Sequence, residues 1–249
     1  MPSKKVVRVE PTKGDQAGGA TWKPTPESKQ QATTYRIIAL VLWVLAIAGE
    51  LFAIFYVLKQ PTINMWMLIG AIVVVGVLAV IGDLLWKKAN RLDPASKADP
   101  VRFFIQNQLG AIVALVAFLP LIVLILTNKN MDSKQKGIAT AVGVVALAIA
   151  AIMGVSFNPP SVEQYTADTA EVVNATGRDL VFWTKEGNVY HLCQAASDLQ
   201  RESKDNTIYS GRVADARAAG KERLTLKVPQ ELKECGISTP VPTTPAPGK

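Results

Sequence analysis

Few residues in this sequence could carry chemistry, and two of them are acids inside apolar segments. Four apolar blocks cover residues 37–58, 65–85, 103–127 and 137–157. Glu50 and Asp83 are the only ionisable residues within them. A carboxylate at the centre of a bilayer costs roughly 3 kcal/mol on insertion scales, so it must face another helix, a partner or water. Both acids are therefore candidate functional residues.

The two acids differ in what surrounds them in the sequence. Asp83 precedes Lys87 by one helical turn and can pair with it, which favours a structural role. Glu50 has no such neighbour, and a proton or ion pathway through it is one interpretation. Such a pathway would need further ionisable groups, and the third and fourth blocks contain none. The more economical interpretation is that Glu50 faces a helix interface.

The chain has one histidine, His191, and two cysteines, Cys193 and Cys235. Haem ligation in a bilayer needs inward-facing His or Met residues, and a zinc site needs several Cys or His ligands at set spacing. Neither set is present, and no phosphate-binding loop, G-x-S-x-G sequence or paired carboxylates accompany them. The sequence predicts no cofactor, no metal site and no catalytic residue.

The two cysteines are interpreted as a disulfide, with two unrelated buried thiols as the alternative. Both lie in the segment that follows the last apolar block. In the chain-entropy model, a bridge that closes a loop of about 43 residues stabilises a fold by roughly 4 kcal/mol. Small exported domains use such bridges because their hydrophobic cores are thin.

The length of each apolar block indicates a membrane span. About 20 residues in a helix cross roughly 30 Å of hydrocarbon. We therefore predict an α-helical membrane protein with four transmembrane helices and a small extracytoplasmic α+β domain. The spans are predicted at about 36–58, 64–86, 103–127 and 137–157. The complete division is a flexible cytoplasmic tail (1–35), a transmembrane domain (36–157), a disulfide-linked α+β domain (158–238) and a Pro-rich disordered tail (239–249).

Small residues recur on one face of the fourth span, at steps of four, three, four and four. They are Ala139, Gly143, Ala146, Ala150 and Gly154. Such a face lets helix backbones approach closely in lipid. The sequence leaves open whether the neighbour is a helix of this chain or of a partner.

Basic residues predict the orientation. Seven Lys and Arg residues precede the first span and five lie between the second and third, against four in the two loops opposite. Cytoplasmic loops carry such an excess, so the N-terminus is predicted to be cytoplasmic. The C-terminal domain is predicted to be extracytoplasmic, and its cysteines support this because disulfides persist in oxidising compartments.

The net charge of +7 is not a nucleic-acid signal. Residues 1–157 carry 16 basic and 8 acidic residues, whereas residues 158–249 carry 11 and 12. The excess therefore belongs to the half of the chain with the apolar blocks, where it meets anionic lipid. We predict contact with lipid and no binding of nucleic acid.

Four segments are specific enough to suggest a family. They are WKKANRLDPAS at 86–96, FFIQNQLG at 103–110, NKNMDSKQKG at 128–137 and NPPSVEQY at 158–165. The sequence resembles, over most of residues 35–237, a family of actinobacterial four-span membrane proteins with a small exported domain. This resemblance implies an accessory subunit of the respiratory supercomplex that joins a cytochrome bcc complex to an aa3-type oxidase in the plasma membrane. It implies no catalytic residue.

Three functions from different classes follow. The first is a non-catalytic accessory subunit that packs on other membrane subunits, and the lack of membrane histidines and of a polar span favours it. The second is a small transporter or channel that uses Glu50. The third is a free-standing envelope sensor whose outer domain binds a ligand.

Overall fold

The computed structural model describes residues 4–9 and 22–237, and these form two compact units. Residues 30–159 form one unit, called the bundle here. The described residues among 1–29 and 160–249 form the other, called the terminal unit. The boundary between the units falls inside the first helix, and the predicted Pro-rich tail at 239–249 lies outside the described residues.

The bundle contains four long helices, each long and apolar enough to cross a membrane. They are α1 (Pro26–Phe55), α2 (Met65–Leu92), α3 (Pro100–Thr127) and α4 (Ser133–Gly154). A short 3₁₀ helix at Val57–Lys59 follows α1. Four predicted spans are therefore matched by four helices in the same order.

Local capping explains where the helices begin. Asn64, Asp99 and Asp132 each accept a hydrogen bond from a backbone N–H in the first turn of α2, α3 and α4. Thr25 Oγ1 accepts from the N–H of Ser28, so α1 begins ten residues before the predicted span. Hydropathy had indicated only the apolar part of each helix, because polar turns can extend a helix beyond it.

The helices run alternately up and down, so the bundle has two ends. The start of α1 meets the end of α2 at one end, where Arg36 Nη1 donates to Asp93 Oδ2 over 2.7 Å. At that same end Ser156, just after α4, donates its N–H to the carbonyl of Asn107 near the start of α3. We call this the Arg36 end. At the opposite end the Asn128 amide donates to the Leu58 carbonyl.

Apolar side chains of α2 and α3 fill the centre of the bundle. Leu68, Ile72, Phe118, Leu121 and Ile125 are fully or almost fully buried. They form one cluster with small residues of α4 and with the segment around Val57 and Ile63. This packing holds the helices together through shape, since van der Waals contact is what drives helix association in lipid.

The terminal unit mixes short helices and short strands. Its helices are α5 (Val162–Thr176), α6 (Ser197–Glu202), α7 (Val213–Ala218) and α8 (Val228–Glu234). Its strands are β1 (Lys5–Arg8), β2 (Val181–Trp183), β3 (Val189–Tyr190), β4 (Thr207–Gly211) and β5 (Arg223–Leu224). One sheet has the order β1-β4-β2 and a second pairs β3 with β5.

Within residues 1–35, predicted as a flexible tail, the described residues form a strand and the start of α1. β1 pairs in parallel with β4, with Lys5 opposite Thr207 and Arg8 opposite Ser210. Trp22 donates its N–H to Thr166 Oγ1, and its ring packs edge-on against Tyr165 at 4.9 Å. β1 forms because β4 offers it a sheet edge, a partner about 200 residues away in the chain.

The N-terminal strand and the C-terminal domain, which the sequence predicts on opposite sides of a membrane, are joined in one sheet. A strand pair cannot be hydrogen-bonded across a bilayer, and β1 pairs with β4. Four crossings also return a chain to the side where it started, and the bundle begins and ends at the Arg36 end. Both termini of the bundle therefore face the same side of any membrane that its helices cross.

Candidate functional site

The small-residue face of α4 packs inside the bundle. Ala139, Gly143, Ala150 and Gly154 are buried. A Cβ added to Gly154 would lie 2.5 Å from the carbonyl carbon of Gly110, and one added to Gly110 would lie 2.9 Å from the Cα of Gly154. Glycine at both positions is what allows α3 and α4 to touch backbone to backbone.

Ala146 has a different environment, because it is only half-buried and faces α2. A Cβ on Gly76 would lie 3.6 Å from the Ala146 Cβ, an ordinary van der Waals distance. Beside this contact an open groove of about 550 Å³ runs between α2 and α4. Its walls are wholly apolar and include Val77, Ile81 and Val145.

Asp83 is 1% exposed and lies where α1, α2 and α3 meet. Its Oδ1 sits against Gly110, in the space that a larger residue would fill. Neither carboxylate oxygen has a hydrogen-bond partner among the described residues, so Lys87 acts on Asp83 through its charge only. The indole N–H of Trp43, which interacts with this carboxylate, also lacks a hydrogen bond of good geometry.

Two amides extend this polar region toward the Arg36 end. Asn90 and Asn107 are buried, and the Oδ1 atom of each lacks a partner within the described chain. Their nitrogens are satisfied, since Asn90 Nδ2 donates to the Gln106 carbonyl and Asn107 Nδ2 to the Phe103 carbonyl. The sequence analysis missed both residues, although amides inside a helix that carries an apolar block were a visible signal for Asn107.

Glu50 is 3% exposed and lies at a different level of the bundle. Its carboxylate interacts with the backbone of Leu121, the residue after Pro120, while its Oε1 has no partner among the described residues. Gly110 and Leu121 are eleven residues apart, about 16 Å along α3. The structure therefore does not bring Glu50 and Asp83 together into one site.

Cys193 and Cys235 are bonded, as predicted, with their Cα atoms 6.3 Å apart. The bridge joins the residues just after β3 to the end of α8. A buried carboxylate makes a second link between the same elements, because Glu231 of α8 accepts from the Leu192 N–H over 2.9 Å. Its other oxygen lies 2.6 Å from His191 Nδ1.

His191 is a buried titratable group of the terminal unit that lies beside two carboxylates. Burial works to lower its pKa, but the hydrogen bond and negative charge of Glu231, together with Glu202, outweigh burial and raise the pKa above the ordinary value. The Nε2 atom lies 3.5 Å from Glu202 Oε2. Lys221 is buried nearby and donates to the carbonyls of Lys185 and Gly187, and its burial lowers its pKa.

A buried arginine forms a further polar centre that the sequence analysis missed. The guanidinium of Arg217 donates to the Asp168 carboxylate and to the Glu222 carbonyl. It also lies over the ring of Tyr165, 4.1 Å from the centroid. Arg217 thereby ties α7 to α5, and nothing in its local sequence distinguishes it from a surface arginine.

The polar side chains described above link neighbouring elements within each unit. Within residues 4–9 and 22–237, no group of three or more His, Cys, Asp or Glu side chains is arranged to hold a metal ion. The predicted site residues are not brought together: Glu50 and Asp83 lie at different levels of the bundle, apart from the buried part of the α4 face, and the disulfide belongs to the terminal unit. No protein-family model, characterised protein or solved structure matches this chain.

Proposed function

We propose that α1–α4 cross the plasma membrane and that the chain is a non-catalytic accessory subunit of a larger membrane complex. Large apolar side chains cover the outward faces of the helices, including Val44 at 64% and Phe55 at 61% exposure. Contiguous apolar surface of this extent is not stable in water and is typical of membrane or protein contact.

The observation that carries the subunit assignment is the groove between α2 and α4. Two helices that packed fully would close it, whereas here it stays open along Gly76, Val77 and Val145. Its apolar and small-residue lining suits a helix of a neighbouring subunit, because small residues allow close approach in lipid. The resemblance described above implies that the neighbour belongs to the bcc–aa3 respiratory assembly.

We place the Arg36 end and the terminal unit in the cytoplasm. The short loop between α2 and α3 carries five Lys and Arg residues, and basic residues in short loops act directly on orientation. The disulfide favours an extracytoplasmic terminal unit. The basic loop and the disulfide therefore indicate opposite orientations if the Arg36 end and the terminal unit lie on one side of the membrane. Because cytosolic disulfides are usually transient or redox-sensing, the Cys193–Cys235 bond would then respond to the redox state of the cell.

Two neighbouring valines of α4 provide a matched test. Val145 lines the groove and Val144 does not, although they are 57% and 48% exposed. Purification of the tagged full-length protein in mild detergent, followed by quantitative mass spectrometry, should find the cytochrome subunits in a fixed ratio. Val145→Trp should fill the groove and reduce this recovery about tenfold, while Val144→Trp should leave it within twofold.

The isolated variants must melt at the same temperature as the wild type for this comparison to count. Should Val145→Trp be unstable, the smaller Ala141→Leu substitution tests the same groove. Equal recovery with both valine variants would contradict the groove as the contact. Recovery of the wild type only as a free monomer would favour the sensor hypothesis instead.

A second function, transport, is favoured by the buried carboxylates of Glu50 and Asp83, which leave oxygens without partners in the described structure. Protein reconstituted into proteoliposomes would then dissipate an imposed proton or sodium gradient. Glu50→Gln and Asp83→Asn would each abolish that flux. Flux equal to that of empty vesicles would exclude this function.

A further inference from the structure

A second cavity, of about 470 Å³, opens on the side of the bundle at the Arg36 end. It lies between the start of α1, the last turns of α2 and the first turns of α3. Its walls combine two arginines, Arg36 and Arg102, with the indole of Trp86 and with apolar side chains of α3. This level is where the apolar part of each helix gives way to polar residues.

The two arginines have different roles in this cavity. Arg36 is held in place, since its guanidinium donates to the Asp93 carboxylate over 2.7 Å and to the Asp93 carbonyl over 2.8 Å. Arg102 is exposed, and within the described chain its guanidinium has no hydrogen-bond or ion-pair partner. The planar fork of an arginine matches a phosphate group in shape and charge.

One carboxylate also lines the cavity and has to be accounted for. Asp99 Oδ1 accepts the backbone N–H of Arg102 over 3.0 Å and thereby caps α3. The positive end of the helix dipole offsets its charge. The arginine therefore remains the group that is available to an incoming anion.

The apolar part of the cavity continues along one face of α3. Val101, Ile105 and Leu109 follow one another at steps of four and lead from the charged rim toward the apolar interior of the span. Trp86 closes the other side, and its ring is fixed because Nε1 donates to the Gln106 carbonyl over 2.7 Å. A charged rim above an apolar strip suits a molecule with an anionic head and a hydrocarbon chain.

We propose that this cavity binds one anionic phospholipid, with its phosphate on Arg102 and an acyl chain along Val101, Ile105 and Leu109. Basic cavities between spans are a known mode of recognising lipid headgroups, and the basic residues around this end raise the local concentration of anionic lipid. The inference rests on the proposed membrane spans but not on any partner complex. A failure here would leave the α2–α4 groove test unaffected.

The test measures phospholipid binding to the purified full-length protein by native mass spectrometry, with phosphatidylglycerol and phosphatidylcholine of identical chains. Phosphatidylglycerol should bind at least tenfold more tightly. Arg102→Gln should weaken its binding about tenfold, the loss of one charge-assisted contact, whereas Arg102→Lys, which keeps the charge but not the planar fork, should weaken it less. Lys134→Gln, which removes an exposed charge from the start of α4, should change nothing.

Three outcomes would overturn the proposal. The first is an equal effect of Arg102→Gln and Lys134→Gln, which would indicate only a general charge effect. The second is equal affinity for the two lipids. The third is displacement of the lipid by glycerol 3-phosphate at similar concentration, which would show a site for a free phosphate ester. Unchanged melting temperatures of the variants serve as the folding control.

Discussion

Single glycines decide how closely the helices of the bundle approach. Gly154 and Gly110 meet backbone to backbone, whereas a Cβ added to Gly137, also in α4, would meet nothing within 4 Å. The same substitution should therefore have opposite consequences at the two positions of one helix. This contrast separates packing from helix propensity.

Gly154→Ala should destabilise the bundle by about 1–3 kcal/mol, because the added methyl group forces α3 and α4 apart. Gly137→Ala should be neutral or stabilise by up to about 1 kcal/mol, since alanine is the better helix former. Unfolding in mixed detergent micelles, followed by circular dichroism, measures both. A Gly154→Ala protein as stable as Gly137→Ala would contradict the close packing of α3 on α4.

His191 makes the stability of the terminal unit depend on pH. Its pKa is raised in the folded state by Glu231 and Glu202, so protonated His191 stabilises the fold. This contribution is fully present below the unfolded-state pKa of about 6.5 and is lost as pH rises through the higher folded-state pKa. Thermal unfolding of the wild type should show this loss as pH increases.

The variant His191→Gln keeps a donor for Glu231 but cannot titrate. Its melting temperature should be lower than that of the wild type at acidic pH and should not fall in the same pH range. A wild-type protein whose stability instead rises across this range would contradict the assigned charge state of His191.

At the scale of elements, two of the links that attach α8 to the rest of the terminal unit meet the residues just after β3. One is the Cys193–Cys235 bond and the other is the Glu231 carboxylate on Leu192 and His191. The disulfide holds the residue after the last turn of α8, and Glu231 holds its middle. Their loss should therefore be felt mainly in α8.

Cys193→Ser should destabilise the oxidised terminal unit by about 2–4 kcal/mol. Cys235→Ser and the double variant should show the same loss, because one bond is removed in every case. Chemical reduction of the wild type should reproduce it. If the double variant lost the sum of the two single-variant losses in stability, the cysteines would act separately. That result would contradict the disulfide bond.

The strand β1, near the N-terminus, pairs with the edge of β4, about 200 residues later in the chain. Removal of residues 1–9 should expose the backbone groups of Thr207–Gly211 and leave the edge unpaired. Hydrogen exchange in β4 should then accelerate by at least tenfold. Removal of residues 239–249 is the control, and equal exchange in both truncations would contradict the β1–β4 pairing.

At the scale of the whole molecule, the pairing of β1 with β4 predicts that these two strands lie on one side of any membrane that the bundle crosses. Green fluorescent protein fused to the N-terminus and, separately, to Ile237 should fluoresce in both cases, since that protein folds in the cytoplasm. Alkaline phosphatase at the same positions should be inactive. If the reporters placed one fusion site in the cytoplasm and the other outside, the strand pairing would be contradicted. If they placed both sites outside, only the proposed orientation would be contradicted.

The four helices could be read from the sequence because the signal for each is contained in one segment. A helix that crosses a bilayer must satisfy its own backbone and present apolar side chains over about 20 residues, so length and hydropathy suffice. The helix starts differ from the prediction where polar turns at Pro26 and Pro100 extend the helix. Hydropathy does not register those turns.

The disulfide was also predictable, since the chain offers only one pair of cysteines. Its surroundings were not, because Glu231 is forty residues from His191 and only folding brings them together. The same holds for Arg217, whose partners come from α5 and from the loop before β5. Burial of a charged side chain depends on partners that local sequence does not reveal.

The sequence by itself determined the number, order and approximate extent of the four long helices, the apolar character of the bundle and the pairing of the cysteines. Only the tertiary structure decided that the N-terminal strand pairs with β4 in the terminal unit and which faces of the bundle remain open. The physical reason is the sequence separation over which each interaction acts. Hydropathy and capping act within one segment, whereas strand pairing and helix packing join residues that are separated by up to about 200 positions in the chain.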